Sequence, residues 1–293
     1  MKAEIEVLQP GLFSTIQDLG RYGFLKYGVP LSGSMDTYAA KIGNLILNNP
    51  VNVAVLEITQ MGPKLQFRAA TKIVITGADL SPEINKISVG NNSIHSINSG
   101  DILSFGKRKS GCRAYLSISG GFQSSESLKS KSWYEGITEF SKMTKGKSLA
   151  FESASVSGLD THAKVKINSD YLSEKEIQVF PGPEYGYLYE KEKKLLASTQ
   201  FSVDKKNNRM AIQLQETIQN NLDPIITGPV IPGTIQLTPS GNLIILMRDC
   251  QTTGGYPRIF QLSEIAMNII SQKVLGDKII FKLDSNFIKP GCL

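Results

Sequence analysis

Ser99-Gly100-Asp101-Ile102-Leu103-Ser104-Phe105 reads as a Gly-Asp turn that feeds directly into a short strand. Leu275-Gly276-Asp277-Lys278-Ile279-Ile280-Phe281 repeats the pattern, with phenylalanine at the same offset. Glycine accepts positive φ and aspartate bonds to its own local backbone, so each pair marks a tight turn. Each segment is expected to close one lobe of a two-lobed chain. The echo is either the trace of an internal duplication or the recurrence of a common turn, and both readings stand at this point.

Working outward, short β-rich runs bounded by Gly, Pro, Asn and Ser recur along the chain: Glu4–Leu8, Val53–Ile58, Lys72–Thr76, Ile102–Phe105, Arg113–Ser119, Ile177–Phe180, Thr234–Thr238, Leu243–Met247 and Lys278–Leu283. That spacing predicts a mainly β fold of the sandwich or barrel kind. Helical periodicity is clearest from Asp36 to Leu47, with Ala39, Ile42 and Ile46 on one face, Ser34 or Asp36 as cap and Pro50 beyond the end. Weaker helices are expected over Glu184–Leu196 and Ser263–Lys273. A Ser/Lys/Thr-rich stretch from about Gln123 to Lys164 has little hydrophobic periodicity and reads as a crossover or mobile region. The expected organisation is a β lobe over 1–122, a crossover over 123–175 and a second β lobe over 176–293.

Composition narrows the function classes. The 293 residues are 41% hydrophobic, enough to bury substantial cores. The 32 Lys and Arg against 26 Asp and Glu leave a formal charge of +6, but the basic residues are dispersed. Those at 191–194 are interleaved with Glu190 and Glu192, as on a solvated helix face. No aromatic-interleaved basic stripe marks a nucleic-acid reader, and no apolar run reaches membrane-span length. The start of the chain alternates like a strand and lacks a signal-peptide core, and Cys112, Cys250 and Cys292 fit no disulfide framework or CxxC pair. A cytoplasmic location with reduced thiols is the expectation.

Several strong chemistries lack their spacing. Gly146-Lys147-Ser148 resembles the end of a phosphate loop, but Ser141 stands where the first glycine belongs. His95 and His162 have no partners at metal-ligand spacing, so no metal site is expected and each reads as a surface or packing residue. There is no G-x-S-x-G elbow. Met143-Thr144-Lys145 is not a biotin-bearing hairpin, which puts any biotin on another chain.

Two loops are dense in residues that handle anions. Gln9-Pro10-Gly11-Leu12-Phe13-Ser14-Thr15-Ile16-Gln17-Asp18-Leu19-Gly20-Arg21 runs on through Gly28-Val29-Pro30-Leu31-Ser32-Gly33-Ser34-Met35-Asp36. It is either two tight turns and a helix cap with a local Asp18–Arg21 pair, or a site in which Arg21 forks a carboxylate or phosphate and Asp18 orients it or acts as base. Arg248-Asp249-Cys250-Gln251-Thr252-Thr253-Gly254-Gly255-Tyr256-Pro257 follows an apolar strand. Its glycines either make a hairpin or let backbone N–H groups approach an oxyanion. Thr76-Gly77-Ala78-Asp79 and Ser119-Gly120-Gly121-Phe122 add small polar loops at strand ends.

These residues together resemble, over nearly the whole chain, the biotin-dependent carboxyltransferase-like family that contains the C subunit of 5-oxoprolinase, also called the KipI antagonist, and allophanate hydrolase subunit 2. The resemblance rests on Pro10-Gly11-Leu12 with Thr15–Arg21, Gly28-Val29-Pro30 with Ser32-Gly33 and Met35-Asp36, Leu56-Glu57, Thr76–Leu80, Ala114-Tyr115-Leu116 with Gly120-Gly121, Pro181-Gly182-Pro183, Gly233-Thr234-Ile235-Gln236 and Gln251–Pro257. It implies two cyclophilin-like β-barrel lobes with a few short helices. It also implies ATP-dependent opening of the lactam of 5-oxoproline to glutamate, in company with a B-type subunit similar to KipI and allophanate hydrolase subunit 1, and an A-type subunit. The ATP site is on this chain, shared, or on a partner.

Under that resemblance Asp18 and Arg21 are the candidate catalytic residues. Gln17, Arg209, Gln251, Thr252, Thr253, Gly254, Gly255 and Tyr256 are the candidate binders of a small amide or carboxylate, all expected to converge on one anion-ready cleft. The chain also departs from the pattern. Ser-Asp-Arg-Met-Gly-x-Arg-Leu appears as Asn207-Asn208-Arg209-Met210-Ala211-Ile212-Gln213-Leu214, and Gly-Ser-Arg-Ser-Thr as Lys129-Ser130-Lys131-Ser132-Trp133. Replacing arginine by Gln213 removes a fixed charge and a fork. Two rival readings accompany the first: a carboxyltransferase or allophanate-processing component served by a separate biotinylated protein, and a non-catalytic module that binds a KipI-like regulator.

Overall fold

The computed structural model describes residues 3–152 and 166–284; His162 and Cys292 lie outside them. The chain divides into two compact units, Met1–Tyr22 with Ser32–Leu172 and Gly23–Leu31 with Ser173–Leu293. Both are mainly β. Three short α-helices occur among the described residues: α1 (Thr37–Ile46), α2 (Glu190–Ser198) and α3 (Glu264–Ser271).

The first unit pairs two sheets. One has seven strands, in the order Phe122–Gln123, Ser148–Phe151, Ala3–Gln9, Lys64–Phe67, Ile102–Phe105, Pro82–Ile84 and Ile87–Ser88. The other has five, in the order Phe13–Gln17, Val55–Thr59, Ser110–Ile118, Thr71–Asp79 and His95–Ile97. Alternation decides which side of each strand is inside: Ala3, Ile5 and Val7 are buried, while Glu4 and Glu6 between them are partly exposed. Ile5, Val7, Leu65, Phe67 and Leu103 from the first sheet share one core with Leu56, Ile58, Ile75, Ala114 and Leu116 from the second. Burying each such side chain stabilises the unit by roughly 1.5–3 kcal/mol relative to exposure.

Residues 123–152 belong to this unit. Phe122–Gln123 and Ser148–Phe151 pair with each other, Ser148–Phe151 pairs with Ala3–Gln9, and Trp133, Met143, Leu149 and Phe151 enter the core. The sequence shows so little periodicity here because turns separate the few residues that face inward.

The five-stranded sheet turns a polar row outward. Thr15, Glu57, Tyr115 and Thr76 are successive cross-strand partners on four neighbouring strands. α1 covers this face: Ala39 and Ala40 pack on Val55 and Tyr115, and the Thr76 hydroxyl donates to the Ala39 carbonyl at 2.7 Å. Of the two caps the sequence offers, Ser34 and Asp36, it is Asp36 that caps α1, its Oδ1 accepting from the Ala39 N–H at 3.0 Å.

The second unit is a closed barrel in the order Glu176–Pro181, Arg258–Leu262, Thr234–Leu237, Asn242–Leu246, Ala211–Thr217, Phe201–Asn207 and Lys278–Leu283. Closure comes from the parallel pairing of the last strand with the first. Phe201, Phe281 and Phe260 stack in its centre at ring separations of 5.2 and 5.5 Å. The helix expected over Glu184–Leu196 is instead a 3-10 turn at Tyr185–Tyr187 followed by α2. The Glu184 carboxylate is held by the backbone N–H, Nε and Nη2 of Arg258 at 2.8, 3.0 and 2.7 Å, which ties the chain to the barrel there. The helical run begins only where the Glu192 side chain accepts from the Tyr189 N–H at 2.8 Å.

The two echo segments make the same turn. Gly100 and Gly276 both have positive φ, 97° and 84°. Asp101 and Asp277 each accept, through Oδ2, from the N–H three residues back, at 2.8 Å (Asn98) and 2.9 Å (Val274). Each turn also exchanges two backbone bonds with a neighbouring strand: Phe67 N–H to Asp101 O and Gly100 N–H to Phe67 O in one unit, Val203 N–H to Asp277 O and Gly276 N–H to Val203 O in the other.

Candidate functional site

In the first unit, Gln17, Asp18 and Arg21 all converge on the segment from Ser127 to Trp133. The buried Gln17 amide donates to Thr15 Oγ1 (3.0 Å) and to the Trp133 carbonyl (3.2 Å), and its oxygen accepts from the Gly33 N–H (3.1 Å). Asp18 Oδ1 accepts from the Gly20 N–H (2.8 Å), the Ser130 hydroxyl (2.7 Å) and the Ser132 hydroxyl (2.6 Å), while Oδ2 accepts from the Lys131 N–H (2.6 Å). Arg21 is fully buried, donating from Nε to the Ser127 carbonyl at 3.3 Å and from Nη2 to the Ser132 carbonyl. A carboxylate with four donors and a guanidinium on backbone carbonyls together fix a loop. The serines at 130 and 132, kept where the family pattern otherwise changes, are what Asp18 needs.

Sequence reasoning did not single out a second cluster, set on the polar row under α1. Glu57 Oε2 accepts from the Met35 N–H (2.8 Å) and from the Tyr115 hydroxyl (2.9 Å), and Arg113 Nε lies 3.9 Å from Oε1. The Tyr115 hydroxyl in turn accepts from the Asp36 N–H (2.8 Å), and Asp36 Oδ2 accepts from Tyr171 (2.6 Å). Burial first, then the negative charges of Glu57 and Asp36, push the Tyr115 hydroxyl well above its ordinary range, so it remains a donor. The network fixes the backbone at Met35 and Asp36, at the head of α1. A clue was present in the sequence: the charged Glu57 inside the largely apolar strand Val55–Thr59.

In the second unit, Arg209 and Asp249 form a buried, two-pronged pair, with Nε to Oδ2 at 2.7 Å and Nη2 to Oδ1 at 3.0 Å; the Asp249 N–H also donates to the Arg209 carbonyl at 2.9 Å. The loop from Gln251 to Tyr256 runs on from this pair. Thr253–Gly254 forms a two-stranded ribbon with Gly228–Pro229, and Val230 N–H bonds to Thr252 O at 3.0 Å. A Cβ at Gly254 would meet Gln236 Nε2 at 2.5 Å, so a larger residue there would displace that side-chain amide. Gln251, Thr253 and Tyr256 are exposed, and Thr252 and Gly255 half-buried. Thus Arg209 orients the loop, and the exposed side chains at 251, 253 and 256 are the ones presented to solvent.

The departures from the family pattern have local consequences. Asn208 Oδ1 accepts from the Met210 and Ala211 N–H groups at 2.8 and 3.0 Å and so sets a local turn, whereas Gln213 carries no charge to replace the lost arginine. Gly146-Lys147-Ser148 leads into a strand and not a helix, with the Gly146 N–H donating to Val7 O at 2.8 Å, so it does not cradle phosphate. Among the described residues no group of His, Cys, Asp and Glu could hold a metal ion, and no helix is long and apolar enough to cross a membrane.

Cys250 lies beside this loop but is not a nucleophile. Burial, with the negative Asp249 next to it, pushes its thiol up to about 12. Iodoacetamide at pH 8 is therefore expected to leave Cys250 unlabelled in the native protein and to label it after denaturation, as read by peptide mass mapping. Native labelling at the rate of a free thiol would contradict the burial.

Comparison with known proteins places this geometry. The family model described as carboxyltransferase domain, subdomain A and B, matches residues 27–283. The chain is 28% identical to the C subunit of 5-oxoprolinase from Haemophilus influenzae over 95% of its length and 90% of that protein. The solved Kluyveromyces lactis urea carboxylase superposes with a TM-score of 0.82 at 27% identity, over 96% of this chain and 27% of the other. The solved TTHA0988 superposes with a TM-score of 0.85 at 22% identity, over 96% and 55% respectively, which shows the fold. The chain thus spans about half or less of each of those two solved chains.

Proposed function

This chain belongs to the carboxyltransferase domain family, subdomains A and B, and we propose that it serves as the C subunit of an ATP-dependent 5-oxoprolinase. In this reading it helps open the lactam of 5-oxoproline to glutamate in an assembly with B-type and A-type subunits, and is inactive by itself. The observation that carries the proposal is the end-to-end match to the C subunit of a 5-oxoprolinase, covering 90% of that protein.

A planar, unstrained lactam is a poor electrophile, so phosphorylation of its carbonyl oxygen by ATP makes the carbon attackable by water. The negative charge that develops then needs cationic or N–H donors. On this chain Gln251, Thr253 and Tyr256 meet the substrate, with Thr252, Gly254 and Gly255 shaping the loop's backbone. Arg209 with Asp249, and Gln17 and Arg21 with Asp18, hold the two loops in place. No ATP step is assigned to Gly146–Ser148; ATP binds on a partner or at a shared site. The cytoplasm, where ATP and reduced thiols coexist, is the matching compartment.

Combining the chain with its B-type and A-type partners, 5-oxoproline and ATP should release glutamate, followed by chromatography of the products. Release no greater than from the mixture lacking this chain would sink the proposal. The likeness to urea carboxylase favours one rival, a carboxyltransferase-type component served by biotin on another chain. Activity that depends on added carboxybiotin would establish that rival instead, and tight binding of a KipI-like regulator with no turnover would favour a binding module.

A further inference from the structure

The stretch Thr76–Leu80, part of the family pattern but given no role in the reaction above, leads to a separate cleft. Its volume is about 430 Å³, and every residue lining it belongs to the first unit. Asp79 and Lys109 both line it, with Lys109 Nζ 3.7 Å from Asp79 Oδ2. The other carboxylate oxygen, Oδ1, accepts from the Ser81 N–H at 2.8 Å. The Lys109 backbone is seated by its own N–H, which donates to the Asp79 carbonyl at 2.8 Å.

A second part of the lining, Ser88–Asn92, is latched to the strand that carries Asp79. Asn91 Nδ2 donates to the Gly77 and Ala78 carbonyls at 3.3 and 3.1 Å, and the Asn92 N–H donates to Ile75 O at 2.7 Å. Ser88 and Asn92 bring hydroxyl and carboxamide groups to the lining, and Val89 and Leu172 bring apolar ones.

The ion pair is loose: the side chains are 65% (Lys109) and 37% (Asp79) exposed, so parting them costs little. The cleft therefore offers one cation and one anion side by side. A lone carboxylate would engage Lys109 and face the repulsion of Asp79, and a lone amine would meet the reverse. A neutral ligand would gain little more than water does at either group. An α-amino acid carries an ammonium and a carboxylate on one carbon, so it can enter between the two side chains and match both charges.

We propose that this cleft is a binding site for a free α-amino acid, its ammonium on Asp79 Oδ2, its carboxylate on Lys109 Nζ and its side chain along Val89 and Leu172. The inference stands apart from the lactam reaction, since it uses none of the residues assigned to it.

L-Valine carries both charges and two methyl groups that report binding by saturation-transfer NMR. With the full chain at pH 7, transfer to those methyls is expected to saturate in the millimolar range. N-acetyl-L-valine, which lacks the ammonium, and L-valinamide, which lacks the carboxylate, should each bind about tenfold more weakly. Lys109→Met should weaken valine binding by a similar factor with the circular dichroism spectrum retained. Asp79→Asn should do the same, and its side-chain oxygen can still accept from the Ser81 N–H and keep the turn. No saturable transfer from the native chain, equal binding of valine and either analogue, or valine binding unchanged in either variant would each overturn the proposal.

Discussion

Arg209→Ala is expected to lower the unfolding free energy of the barrel by about 3–5 kcal/mol, because it strands the Asp249 carboxylate in a buried setting with its two-pronged partner gone. Asp249→Ala should do the same from the other side. The informative comparison is the double replacement Arg209→Met with Asp249→Leu, which removes both charges and keeps the volume. That protein should regain most of the lost stability, since a buried ion pair and a well-packed apolar pair of similar size are often close in free energy. Urea unfolding followed by circular dichroism measures all three. A double variant as unstable as the singles would mean that the pair's geometry, and not the stranding of a charge, sets the loss. In the assembled enzyme the stable double variant separates a loop-holding arginine from one that meets substrate: activity is retained in the first case and lost in the second.

Asp18→Ala should be nearly as damaging to the first unit, by roughly 2–4 kcal/mol, through loss of the acceptor for four donors. Ser130→Ala and Ser132→Ala, each removing one of those donors, should cost about 1 kcal/mol apiece. Hydrogen exchange at the Lys131 amide, bonded to Asp18 Oδ2, should speed up in Asp18→Ala well before global unfolding. An Asp18→Ala protein of undiminished stability that fails only in the glutamate-release assay would restore Asp18 to the role of base.

Nine of the 21 strands among the described residues were legible, because period-two alternation is a direct imprint of burial on one face. Ile102–Phe105 and Lys278–Leu283 have the expected bounds, and the cap at Asp36 comes from a residue type with a local chemical reason to be there. Strands such as Phe201–Asn207 and Ala211–Thr217 escaped notice. Their outward residues, Lys205, Lys206, Gln213 and Gln215, give them a composition like that of a loop. For the candidate site, the sequence marked two loops and left the roles of their residues open. Asp18 and Arg21 read either as a local pair or as a pair facing a ligand, but their partners, Ser127, Ser130, Lys131 and Ser132, lie more than a hundred residues away and are supplied only by folding. The Glu57–Tyr115 contact was equally hidden, because only strand register sets the two residues side by side.

The matching turns at Gly100 and Gly276 give the molecule a built-in calibration. A methyl group at either glycine would meet nothing within 4 Å, so alanine there adds no collision and exposes only the strain of a left-handed backbone, about 1–2 kcal/mol. Making that single change at each address in turn therefore weighs one lobe's fastening against the other's, with the chemistry of the perturbation held constant.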